Sequence, residues 1–323
     1  MRKLLPAMLA IAIVGVSPIA RAQDWPKAPI KLIVPVGPGL ATDLTARMFA
    51  DEASNGLGVG VVVENITGGS GVLGAQTVAR AVPDGYTLLF ANSSGLTSNM
   101  YLLDSINYNP LKDFAALAMV ADSSPFVVSV NKDLPVNSIA ELIAYGKAHP
   151  GELSIGIDAT SGFGLVTGRL LNKRGAIGMT EVPYRATPQM LQDAVAGRIQ
   201  VVISVPIPIK PFIDSGQLRM LAISSKQRFP GLATLPTIAE TLPGFDVDGW
   251  FAIMAPAGAP PAILDRVNKE VVKFLDRQEA RNRLVGMGVM LSRPGTPQSA
   301  AAFVRGQQEA WAGIARELDL KPQ

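Results

Sequence analysis

The stretch with the most chemical promise is Gly37-Pro38-Gly39-Leu40-Ala41-Thr42-Asp43. Its glycines let the backbone lie close to a ligand, and Thr42 or Asp43 can cap a helix that starts here. An apolar run, Leu32 to Val36, precedes it and reads as a buried strand; Leu44, Met48 and Phe49 follow at helical spacing. A strand, a glycine turn and a helix N-terminus make an anion site, because free N–H groups and the helix dipole point at one spot. An ordinary strand-to-helix turn has the same pattern, so this stretch alone leaves both readings open. Catalysis has less to work with. The chain has no cysteine and one histidine, His149, in the exposed-looking turn Ala148-His149-Pro150-Gly151. Thiol catalysis, disulfides and cysteine-ligated zinc are excluded. A Ser-His-Asp triad would need that histidine, and no Gly-x-Ser-x-Gly elbow exists. No metal and no cofactor are expected.

Residues 1–22 read as a secretory signal. Arg2 and Lys3 form the charged start, Leu4 to Val16 the apolar core, and Ala20-Arg21-Ala22 a small-x-small cleavage site. Cleavage after Ala22 would leave Gln23 first and place the protein in the periplasm. The apolar run is too short to span a membrane, which takes about 20 residues. Without a lipobox cysteine, a free soluble protein is expected. The whole chain has 29 Lys+Arg, 26 Asp+Glu and a formal net charge of +3. The signal holds three of the basic residues and no acid, so the rest of the chain is neutral. No basic stripe remains for nucleic acid or an anionic membrane surface.

Residues 23–323 exceed the size at which single cores usually stop growing, about 250–300 residues. The elements alternate as in a parallel α/β sheet. After the opening strand and helix come Val61–Asn65, a loop Thr67 to Gly71, a helix over 73–81, and the strand Tyr86 to Phe90 ending at Asn92-Ser93-Ser94-Gly95. A second set begins at Phe126 to Val130. It continues with a helix from Ile139 capped by Ser138 with Glu141, a strand over 153–157, the loop Asp158 to Gly164, and a helix over 165–173. Then follow Thr180–Tyr184, a helix over 188–196 ended by Gly197, and strands over 199–204 and 218–224. A last strand covers 250–256, and helices cover 261–275, 278–287 and 297–317. Ligands of such sheets bind at the carboxyl ends of the strands, where these small polar loops lie.

In order and spacing, several segments resemble the Bug family, the periplasmic substrate-binding proteins of tripartite tricarboxylate transporters. They are Trp25-Pro26, Pro29 to Pro35, Gly39 with Ala41-Thr42-Asp43, Val63-Glu64-Asn65, Gly68 to Gly71 and Pro83 to Leu88. Tyr108-Asn109-Pro110, Val182-Pro183-Tyr184, Leu235-Pro236-Thr237, Pro243-Gly244-Phe245, Trp250-Phe251 and Ala255 to Gly258 extend the likeness over nearly the whole exported chain. The resemblance implies a type II periplasmic-binding-protein fold, two α/β lobes joined by crossover strands. Residues 23–124 would open lobe one, 125–225 form lobe two, and 226–323 return to lobe one. It also implies that a small carboxylate is gripped by backbone and hydroxyl groups from both lobes. Lobe one would offer Gly39, Leu40, Ala41, Thr42, Ser70, Gly71, Ser93 and Ser94, with Asp43 capping the helix at the site. Lobe two would offer Thr160, Ser161, Gly162, Phe163, Tyr184, Ser204 and Val205.

Leu40 stands where the family commonly has a second glycine. No acid lies near Ser204-Val205-Pro206, where amino-acid-binding members tend to carry an aspartate. The resemblance therefore points to a ligand without an amine and with an apolar or aromatic body over Leu40 and Phe163, unless these two are core residues facing away. Tyr184 can be a ligand hydroxyl or a packing aromatic. The expected function is a monomeric receptor that hands a carboxylate to membrane permease subunits. A sensor subunit presenting ligand to a signalling partner would share the fold; an exported hydrolase finds no catalytic set.

Overall fold

The computed structural model describes residues 25–158 and 162–322. The signal segment, Thr160 and Ser161 lie outside them. The chain runs β1 (Ile30–Val34), α1 (Ala41–Leu57), β2 (Val61–Asn65), α2 (Val72–Ala79), β3 (Thr87–Asn92), α3 (Ser93–Leu96), α4 (Asn99–Leu102) and β4 (Phe114–Pro125). It continues β5 (Val127–Asn131), α5 (Ile139–Ala148), β6 (Ser154–Asp158), α6 (Gly162–Gly175), β7 (Thr180–Tyr184), α7 (Thr187–Val195), β8 (Val201–Ser204), α8 (Pro206–Asp214) and β9 (Leu218–Ile223). It ends β10 (Asp248–Pro256), α9 (Pro261–Leu275), α10 (Gln278–Val285), β11 (Met290–Leu291) and α11 (Pro297–Leu318).

Two sheets form. The first has the order β11-β4-β10-β3-β1-β2, the second β7-β6-β8-β5-β9. In the first, β2, β1 and β3 are parallel, with Leu32 opposite Val63 and Leu88. Their carboxyl ends therefore open on one side. The apolar faces of α1 and α9 cover one side of this sheet, around Phe49, Phe251 and Phe274; α2 and the start of α11 cover the other, around Trp250. The second sheet is parallel through β7, β6 and β8, and antiparallel at β5 and β9. Its main core holds Leu142, Ile155, Leu170 and Ile203 under α5 and α6.

The chain passes from the first sheet to the second at Phe126 and returns between β9 and β10. These crossings lie side by side: Asp248 pairs with Pro125 and Gly249 with Ser124. A Cβ on Gly249 would sit 2.8 Å from the Ser124 carbonyl oxygen, so only glycine allows this approach. A third tie is α11, whose Ala300 and Val304 pack on the first core and whose Trp311 packs into the second.

Local signals explain most element ends. Ser138 caps α5 by accepting from the Glu141 amide, and Gly58 and Gly197 stop α1 and α7 in the left-handed conformation. Several elements were not read from the sequence, the short α3, α4 and β11 and the longer β4 and α8. The long β4 went unread because it is buried on both faces and flanked by strands, leaving small apolar residues without alternation. The helix α8, between the strands read at 199–204 and 218–224, was not anticipated. Pro206 and Pro208 occupy its first turn, where the missing N–H groups have no helical acceptor anyway; Pro211 costs a single bond.

Candidate functional site

The carboxyl ends of β1, β2 and β3 face those of β6 and β8 across a cleft of about 500 Å³. From the first sheet's side it is lined by Pro35 to Gly37, Leu40 to Thr42, Thr67, Gly68, Ser70, Gly71 and Asn92 to Ser94. From the other side come Phe163, Gly164, Thr187, Ile203, Ser204 and Val205. The crossing strands supply its floor with Ser124, Phe126, Gly249 and Phe251. Among these lining residues there is no charged side chain.

Each wall is built by local sequence. Leu40 is the N-cap of α1 and makes no side-chain cap, so the first amides of the helix keep their donors toward the cleft. Gly68 to Gly71 form a turn with four successive positive φ angles, Ser70 included. Gly71 has φ +92°, and a Cβ there would press within 3.1 Å of the Pro35 carbonyl oxygen. Asn92 caps α3 by accepting from the Gly95 amide at 3.2 Å, which aims Ser93 and Ser94 at the cleft. The hydroxyls of Thr42, Ser93, Ser94, Ser124 and Ser204 make no hydrogen bond within the described residues. They are open to a guest.

Asp43 stays out of the cleft. It is the third residue of α1 rather than its N-cap, and it secures the entry loop by reaching back: its carboxylate accepts from the Gly39 amide at 2.9 Å. Asn65 donates to it at 2.8 Å and Arg47 at 3.0 Å. Burial by itself would raise its pKa. The hydrogen bonds from Arg47, Asn65 and Gly39 and the Arg47 charge outweigh that and hold it below the usual carboxylate value. The one acid beside the site is thus consumed structurally.

The cleft brings together Leu40, Ala41, Thr42, Ser70, Gly71, Ser93, Ser94, Phe163, Ser204 and Val205. Three expected residues fall elsewhere. Tyr184 is buried with its hydroxyl donating to Asp193 at 2.9 Å, and it does not line the cleft. Burial and that carboxylate together push its phenol up to about 12. Gly162 packs against lobe one, its Cβ direction blocked by the Ser98 hydroxyl at 2.7 Å and Leu102 at 2.8 Å. Gly39 turns to a neighbouring hollow. Leu40 and Phe163, expected as a pair, differ. Leu40 is 54% exposed, whereas Phe163 is 1% exposed, stacked on Phe126 at 6.2 Å and packed against Trp311 at 4.6 Å. Ser124, Phe126, Gly249 and Phe251 were missed, although strands that cross between lobes must pass beneath the cleft. His149 only stacks on Tyr145, with Nδ1 3.0 Å from its carbonyl oxygen.

The profile of the tripartite tricarboxylate transporter family receptors, TctC, matches residues 45–320. The chain belongs to this family. BugT of Bordetella pertussis is 33% identical to it over 96% of this chain and 95% of its own length. Among solved structures, R. palustris Rpa4515 with adipate has a TM-score of 0.81 at 32% identity, covering 93% of this chain and 100% of that one. MatC of Rhodopseudomonas palustris with bound malate has a TM-score of 0.75 at 28% identity, covering 90% and 99%. The fold is accordingly the two-lobed type II binding-protein fold of these receptors, and the chain is a receptor for small solutes rather than an enzyme. Family members are periplasmic binding proteins, and no helix among the described residues is long and apolar enough to cross a membrane.

Proposed function

We propose that this receptor captures a small carboxylate without an amine in the cleft between its lobes and delivers it, from the periplasm, to the membrane subunits of a tripartite transporter. The observation that carries the reading is the lining itself: free hydroxyls and helix-start amides converge on a cleft without a charged side chain. Such donors hold an anion without an arginine clamp. An ammonium group would find no carboxylate there, because Asp43 is taken up by Arg47, Asn65 and Gly39. Closure of the lobes about the paired crossing strands would desolvate the contacts and strengthen them. Adipate and malate in the two structural neighbours are carboxylates of this amine-free kind. In this reading the signal is cleaved after Ala22 and the exported receptor works as a monomer.

A thermal-shift screen followed by calorimetry checks it, since a ligand that binds only the folded state raises the melting temperature. Mono- and dicarboxylates with apolar bodies should stabilise the protein and be recovered unchanged. Tighter binding of an amino acid or of citrate than of every such carboxylate would sink the reading.

A further inference from the structure

A second hollow of about 460 Å³ adjoins the cleft. Its walls are mostly apolar and come from both lobes: Leu44 and Met287 from lobe one, Ile207 and Ile213 from α8, and Met220 and Phe229 beside them. Its charged side chains, Lys210 and Asp214, pair with each other at 2.8 Å on the exposed side of α8, which leaves the rest of the lining apolar. The two hollows meet at two backbone steps. Gly39 lines the hollow and Leu40 the cleft; Val205 lines the cleft and Pro206 the hollow.

A separate feature marks the same place. Few large apolar side chains are exposed among the described residues, yet two of them flank this junction from opposite lobes, Leu40 at 54% and Ile207 at 40%. Leu40 also occupies a helix N-cap, where a serine, threonine or aspartate would stabilise the free protein and an uncapped leucine does not. An apolar guest passing between the lobes would cover both side chains.

We infer that the second hollow houses the apolar tail of the ligand whose carboxylate lies in the cleft, which makes the ligand a monocarboxylate with a chain long enough to pass between Leu40 and Val205. The inference rests on the carboxylate reading of the cleft and narrows it. Space is sufficient, since a cavity of about 150 Å³ already accepts benzene. The energetic driving force is burial of methylenes against Leu44, Ile207 and Phe229.

Calorimetry with butanoate, hexanoate, octanoate and decanoate tests it, with adipate as the control. Affinity should climb about threefold to fourfold per methylene once the tail enters the hollow. Gly286→Phe should flatten that climb while butanoate binding changes less than twofold. Gly286 lies exposed at the hollow with a helical φ of −62°, and nothing comes closer than 3.4 Å to an added Cβ. Ile207→Ser, at a half-exposed site, provides the same readout should the phenylalanine variant fold poorly. Adipate binding with no gain along the monocarboxylate series overturns the inference and leaves the cleft reading standing. A climb that both variants leave intact also overturns it, because the tail then lies elsewhere. Failure of every acid, adipate included, overturns the cleft reading and this inference with it.

Discussion

The two jaws of the cleft are chemically unlike. Lobe one presents glycines, helix-start amides and the free hydroxyls of Thr42, Ser93 and Ser94. Lobe two presents Phe163, Ile203 and Val205, with Ser204 its one hydroxyl free of any partner among the described residues. An anion needs several donors at once and an apolar body needs none. The asymmetry therefore orients the proposed ligand, carboxylate toward lobe one. It also separates residues that hold the protein together from residues that hold the guest.

Phe163 and Leu40 give the sharpest form of that separation. Both border the cleft, but only Phe163 joins α6, the crossing at Phe126 and Trp311 of α11. Phe163→Ala should cost about 3–5 kcal/mol in denaturant unfolding, the range for emptying a packed aromatic site. Leu40→Ala should stay within about 0.5 kcal/mol of the parent, as exposed substitutions usually do. A larger loss at Leu40 than at Phe163 would show that the jaws have been assigned the wrong way round.

Thr42 carries the polar half of the comparison. Its side chain is 7% exposed at the cleft, and its hydroxyl has no partner among the described residues. Thr42→Val keeps the shape and removes the donor. A hydrogen bond to a charged group is worth about 1.5–3 kcal/mol, so carboxylate affinity should fall roughly tenfold to a hundredfold while the free protein's stability hardly moves. Calorimetry and unfolding on one preparation measure both. Unchanged affinity would remove Thr42 from the anion-binding jaw.

How much of this could be read beforehand depends on the range of the interaction. Ser138 with Glu141, and the strand–glycine–helix order at Leu32 to Phe49, are local, and the chain shows them directly. Gly39-Leu40-Ala41-Thr42 and Asn92-Ser93-Ser94 were legible as loops at strand ends for the same reason. Burial is not local. Phe163 and Leu40 belong to one residue class, and Phe126 and Trp311, far away in the chain, help to bury the first. Gly249 shows the reverse case, a residue whose need for a missing Cβ appears only when Ser124 lies against it.

Asp43 was expected to cap a helix; instead it lies inside the first turn of α1 and pins the entry loop through the Gly39 amide. Asp43→Ala strands the Gly39 amide, Asn65 and Arg47 together. About 1–3 kcal/mol of stability should be lost at neutral pH, with weaker ligand binding because the loop before α1 loosens. The pH dependence has a definite sign. Its folded pKa lies below the unfolded value of 3.8, so its contribution is complete above about pH 4 and disappears as pH falls through the folded value. The parent should therefore lose stability below pH 4 more steeply than the variant, as parallel denaturant titrations at pH 3 and 7 would record. Equal slopes would mean that Asp43 is no better bound folded than unfolded.

Tyr184 is the mildest test and the cleanest, because here sequence likeness and geometry disagree. The segment Val182-Pro183-Tyr184 matches the family pattern, yet the tyrosine ends β7 with its hydroxyl committed to Asp193, which also pairs with Arg198 at 2.7 Å. The partner lies on α7, so the bond ties the end of β7 to the helix that follows. Tyr184→Phe keeps the packed ring and deletes one donor, which should cost about 0.5–1.5 kcal/mol of stability. Carboxylate affinity should stay within twofold, since no cleft contact is lost. An affinity loss on the scale of Thr42→Val would require the hydroxyl to swing from Asp193 to the guest when the lobes close. Lobe two would then possess a second donor, and the difference between the jaws would narrow on closure.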